Sequence, residues 1–214
     1  MKKNKQLLIS IGLNVLIVIF SFIGIILKFK EEGIEFYLSY AFFTNVLTII
    51  ICSVFLFKEI KALYLKEEVQ DSIKYNKYVV TGMSLLVMIY WVAFLAPLAG
   101  NDFVGPYLFQ GGSLFLHVLC PILLVISLLG YDMVSLKKEQ VLKSLMPTIV
   151  YGALIIILNI FHILIGPYGF FEVYYSPWGV IILVPIGLAI LELLILFMVY
   201  LLNRLSIKVE KQAK

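Results

Sequence analysis

Thr44 and His117 are the residues of this chain best suited to chemistry. A hydroxyl that can attack a carbonyl and an imidazole that can take its proton are the two parts of an acyl-transfer centre. Both stand near the same end of long apolar segments. At a rise of about 1.5 Å per residue, Thr44 lies about 9 Å, His117 about 6 Å and His162 about 5 Å from that end of their helices. Asn45, Tyr40, Tyr90, Trp91 and Ser113 fall within a turn or two of this level, and Asp102, Gln110, Tyr168 and Glu172 in the loops just beyond it. Taken singly, a threonine in an apolar helix returns its hydroxyl to the carbonyl four residues back, here Tyr40, and a histidine near a helix end is an interfacial anchor. Taken together, polar groups gathered at one depth in hydrocarbon point to a functional cavity, because each is expensive to bury alone.

The elements that must position these residues are membrane-spanning helices. The chain has 214 residues, of which 62% are hydrophobic and 14% charged, with a mean hydropathy of +1.04. A water-soluble domain could not carry that composition on its surface. Six stretches reach the roughly 20 apolar residues that a bilayer core demands, at about 6–27, 38–57, 78–98, 113–129, 146–165 and 180–202. They are continuously apolar rather than alternating, so helices are expected and a barrel is not. The expected fold class is all-α, a polytopic integral membrane bundle of six transmembrane helices in one domain, 1–214, with no internal repeat and no metal site.

Basic residues set the expected orientation. Fifteen of the seventeen Lys and Arg residues fall at the termini or in the loops sharing their side, among them Lys58, Lys61, Lys66, Lys74 and Lys77. The other side holds Lys28 and Lys30 among Glu31, Glu32 and Glu35. The positive-inside rule then predicts cytoplasmic termini in the plasma membrane, with Thr44 and His117 toward the outer leaflet. The stretch from Lys58 to Lys77 reads as a cytoplasmic loop, or in part as a surface helix. The net charge of +4 is a topological signal matched to anionic headgroups, not a nucleic-acid surface. The amino-terminal MKKNKQLL reads as the start of an uncleaved first helix, its apolar run being too long for a signal peptide.

Two prolines bear on the same level. Pro121 has no amide hydrogen for the carbonyl of His117, so the helix is expected to open at the histidine, and Pro185 frees the carbonyl of Ile181. Glu192 falls near mid-bilayer and is expected to be either protonated or paired with a polar partner such as Asn14, which shares a helix face with Ser10. Asn159 reads as interhelical glue. Cys52 and Cys120 differ in depth by roughly 10 Å, too far for a disulfide.

The run Tyr40-Ala41-Phe42-Phe43-Thr44-Asn45, the segment His117-Val118-Leu119-Cys120-Pro121 and the turn Gly166-Pro167-Tyr168-Gly169-Phe170-Phe171-Glu172-Val173 resemble the androgen-induced gene family, whose wider group includes bacterial six-helix membrane proteins. The resemblance implies an intramembrane hydrolase that cleaves fatty acid esters of hydroxy fatty acids with a threonine nucleophile, here Thr44, and a histidine base, here His117. The loop matches less closely, with Gly169 where a proline is common in the family. More distant relatives are acyltransferases with a cysteine nucleophile, so the fold alone does not fix the chemistry.

On this reading Glu172 or Asp102 orients the imidazole, and Asn45, Tyr90 or His162 donates to the oxyanion. No cofactor is expected, and the partner is a lipophilic ester or membrane lipid. Three alternatives stand beside it. An acyltransferase would use the same site. A haem protein would use His117 and His162 as axial ligands. A transporter or lipid-binding protein would use Glu192 and Asn14 at the midplane, without the broken helices and repeated halves usual in transporters.

Overall fold

Each apolar run forms a helix because a backbone in a low-dielectric surround must satisfy its own hydrogen bonds. A computed structural model of the chain describes residues 2–65, 67–95, 109–165 and 167–212, side chains excepted at 2, 3 and 95. The elements are α1 (Lys2–Glu32), a 3-10 turn (Gly33–Leu38), α2 (Tyr40–Leu65), and α3 (Asp71–Tyr90), which runs on as a π turn (Trp91–Leu95). Then come α4 (Gly111–Gly130), the short α5 (Lys138–Lys143), α6 (Met146–Ile160), a 3-10 turn (Gly169–Phe171) and α7 (Trp178–Gln212). Six helical stretches are long and apolar enough to cross a membrane, with α5 and α6 forming one of them. Rows of exposed apolar residues, such as Leu183, Ile186, Ile190 and Leu194 on α7, make faces suited to lipid rather than water.

Several bounds differ from the sequence expectation, each for a local reason. α2 and α3 both extend into the stretch expected to be a loop: α2 ends at Leu65 and α3 begins at Asp71, so Lys77 is two turns inside a helix. α6 stops at Ile160 rather than 165, because His162 takes the left-handed conformation (φ 54°) that ends helices. The last residues expected for the third span, 96–98, lie outside the described residues, as does Asp102.

The expected opening at His117 takes the form of a π turn, Leu114–Leu119, in which the Cys120 amide donates to the Phe115 carbonyl five residues back, immediately before Pro121. This turn is held against α1 by close backbone approach. A Cβ on Gly112 would stand 2.7 Å from both the Gly24 carbonyl oxygen and the Lys28 amide nitrogen, so only glycine fits there. The Gly112 amide donates to Glu31 Oε1 at 2.9 Å.

Packing between α3, α4 and α7 forms the largest core, around Tyr78, Leu86, Leu128, Leu196 and Val199. Cys52 and Cys120 are both free and buried. Asn159 is buried, but its partners are loop rather than helix: it donates to the Leu164 carbonyl at 3.1 Å and accepts from the Val173 amide at 2.8 Å.

Candidate functional site

At the end of the bundle away from the termini, a cavity of about 1110 Å3 opens among α2, α3, α4, α6 and α7. Its rim is polar, with Lys28 and Glu32 from the last turns of α1, Glu35 from the 3-10 turn after it and Glu172 from the last connection. Its walls are aromatic, with Tyr40, Tyr90, Trp91, Tyr151, Tyr168 and Phe171, and its far side is the aliphatic surface of α6 and α7 around Gly152, Ile156, Pro185 and Leu188. α6 and α7 touch each other sparsely.

His117 sits on the cavity wall, is 1% exposed, and its Nδ1 has no hydrogen-bond partner. Its ring stacks on Trp91 with centroids 4.1 Å apart. The Lys28 ammonium also lies over that indole, 4.9 Å from the ring centroid. Lys28, itself 5% exposed, pairs with Glu32 at 2.6 Å and Glu31 at 3.5 Å. Trp91 thus contacts both a cation and the imidazole, and the buried ammonium raises the potential near His117.

Thr44 is fully buried and lies one turn inward of the lining residue Ala41, on the same face of α2. It does not itself line the cavity. The expected bond from its hydroxyl to the Tyr40 carbonyl is not formed: Oγ1 has no hydrogen-bond partner, while the Thr44 carbonyl accepts from Thr48 at 2.9 Å. Beside Thr44, the Tyr40 side chain lines the cavity, and its hydroxyl shares a 2.5 Å hydrogen bond with Thr148 of α6. Tyr40 is held in turn by Tyr168, whose hydroxyl accepts from the Tyr40 amide at 3.1 Å. Burial pushes the Tyr168 phenol up, so it stays a neutral hydroxyl.

The remaining expected residues separate into two groups. Tyr90 and Glu172 line the same cavity as His117. Asn45 turns its amide to its own helix, donating to Ala41 O at 2.9 Å, with Oδ1 unpartnered. His162 is exposed, stacks on Tyr174 at 4.3 Å, and lines a separate shallow pocket with Asn159 and Tyr175. The two histidines therefore line different pockets. Among the described residues no group of three or more His, Cys, Asp and Glu side chains is arranged to hold a metal ion.

Glu192 is corrected in its partner. It is fully buried beside Thr148, within electrostatic reach of Tyr40, and neither carboxylate oxygen has a hydrogen bond. Asn14 instead belongs to a second polar cluster at the terminal end of the bundle. Lys77 Nζ donates to Asn14 Oδ1 at 2.6 Å, Ser127 Oγ at 2.7 Å and Asp132 Oδ2 at 2.5 Å. Ser10 donates to Asp132 Oδ1 at 2.5 Å, and Asn14 Nδ2 to Glu59 Oε2 at 2.8 Å. Lys77, Glu59 and Asp132 are each no more than 3% exposed. Sequence reasoning treated Lys77 as a loop cation. The overlooked signal was the run of polar residues Lys77, Thr81 and Ser84 at i, i+4 and i+7, a polar stripe on an otherwise apolar helix.

Comparison of the chain with protein-family models, with curated proteins and with solved structures finds no match to any of them.

Proposed function

We propose that this chain is an intramembrane hydrolase of lipid esters, with Thr44 as nucleophile and His117 as base, seated in the plasma membrane with cytoplasmic termini. The observation that carries the reading is His117: a buried imidazole with an unpartnered nitrogen, on the wall of a cavity at the top of the size range of ligand pockets, about 300–1,000 Å3. The resemblance of the Thr44 and His117 segments to the androgen-induced gene family supports it from the sequence side.

In the proposed reaction His117 takes the Thr44 proton as Oγ1 attacks the ester carbonyl carbon. The tetrahedral intermediate collapses to an acyl-threonine, and the leaving alkoxide receives the proton from the imidazolium. Water then attacks the acyl-threonine with His117 again as base, and the acid departs as Thr44 recovers its proton. The positive potential of Lys28 favours the oxyanion in both steps. Thr44 reaches the carbonyl between Tyr40 and Ala41, which requires the Tyr40 side chain to yield. The aliphatic side between α6 and α7 suits an acyl chain entering from the bilayer.

The test is hydrolysis of a fluorogenic long-chain ester by purified protein. Thr44→Ala and His117→Ala should each lose at least about a hundredfold, the lower range for a missing acid-base group, with Thr44→Ser keeping part. Equal turnover by Thr44→Ala and the unaltered chain sinks the reading. One observation favours a second reading, lipid binding without chemistry: Thr44 is not on the cavity wall. Ligand binding with no turnover would select it. An acyltransferase on the same site would be revealed by turnover that rises with a lysolipid acceptor.

A further inference from the structure

The rim of the cavity carries more negative than positive charge. Glu32 is matched by Lys28, but Glu35 and Glu172 have no ion pair among the described residues. Lys30 is on the exposed face of α1 and does not line the cavity. Two carboxylates thus face a cavity whose walls are aromatic rings.

Aromatic faces and carboxylates together select cations, since ring quadrupoles attract positive charge and keep doing so where water is excluded. The cavity already contains one instance. The Lys28 ammonium lies over the Trp91 ring at 4.9 Å with Glu32 at 2.6 Å, a cation held by an aromatic face and a carboxylate. An independent sign that the cavity receives a ligand is the unpartnered Nδ1 of His117, 99% buried on its wall.

We propose that the cavity binds an amphiphile whose polar end is positively charged, with the charged group between Glu35, Glu172 and the Tyr90 and Tyr168 rings and the chain along α6 and α7. Binding stands on the cavity alone; that this amphiphile is the ester substrate rests on the hydrolase reading. For that reading the consequence is specific. A free carboxylate at the polar end, as in a fatty acid ester of a hydroxy fatty acid, is repelled by the rim, and a cationic or zwitterionic ester is favoured.

Trp91 reports occupancy directly, because the chain has two tryptophans and Trp178→Phe leaves Trp91 as the sole indole. The full chain with this substitution, in neutral maltoside detergent, is titrated with dodecyltrimethylammonium, dodecyl glyceryl ether and dodecanoate at one micelle concentration. The trimethylammonium compound should change Trp91 emission at about tenfold lower concentration than either other probe, the ratio that one desolvated cation contact supplies. Glu35→Gln with Glu172→Gln should remove that preference while leaving binding of the neutral ether, which also shows the variant is folded. Equal affinity for all three probes, tighter binding of dodecanoate, or a preference that survives the double variant overturns the proposal. Preference without ester turnover would sink the hydrolase reading and leave this one standing.

Discussion

Asp132→Ala should destabilise the protein more than any surface change, and Lys77→Met should largely rescue it. The Lys77 ammonium is fully buried with three acceptors, of which the Asp132 carboxylate at 2.5 Å is, among the described residues, the only anion in direct contact. Removing that carboxylate leaves a charge inside the bundle with two neutral acceptors, and deprives Ser10 of its acceptor as well. The cost of orphaning one member of a buried pair is about 3–5 kcal/mol. At about 2–4 °C per kcal/mol for a chain of this size, the unfolding midpoint falls by about 6–20 °C. Lys77→Met in the same chain removes the orphaned charge and keeps the volume over the Phe55 ring, 4.6 Å from Nζ. The double variant should therefore recover about 1–3 kcal/mol relative to the sum of the singles. The assay is a thermal scan of detergent-purified protein read by intrinsic fluorescence. A midpoint lowered by less than about 2 °C in Asp132→Ala, under 1 kcal/mol on the same scale, or strict additivity in the double variant, refutes the reasoning.

Two further perturbations act on other parts of the fold. Gly112→Val places carbon atoms against the Gly24 carbonyl and the Lys28 amide, backbone groups that cannot swing aside, and should cost about 1–3 kcal/mol in the same thermal scan. Asn159→Ala strands the buried Val173 amide and frees the Leu164 carbonyl, so it should cost about 1–3 kcal/mol and speed limited proteolysis of the loop joining α6 and α7, whereas His162→Ala should leave cleavage and ligand binding nearly unchanged.

Much of this architecture was legible in the sequence because length and hydropathy alone demand helices in hydrocarbon. The π turn before Pro121 was legible as an opening, since a missing amide hydrogen is a local fact. Partners were harder to read. Asn14 was rightly suspected of pairing, but depth along a helix does not say which helix lies opposite, and its partners proved to be Glu59 and Lys77 rather than Glu192. Lys77 was misplaced because basic residues near helix ends usually face the cytoplasm, and only the burial of α3 from Lys77 onward reveals otherwise. His162 was expected at the depth of His117 yet lies past the end of α6 and lines a different pocket, because depth carries no information about azimuth. Lys28 was read as a loop charge; its role beside Trp91 and His117 depends on the glycine contact that draws α4 against α1.

The central claim, an activated Thr44, is tested most directly by labelling purified protein with an alkyl fluorophosphonate and locating the adduct by peptide mass spectrometry. The account predicts a single adduct on Thr44 that disappears in Thr44→Ala and His117→Ala. Absence of any adduct in folded protein, or an adduct elsewhere that persists in both variants, contradicts it.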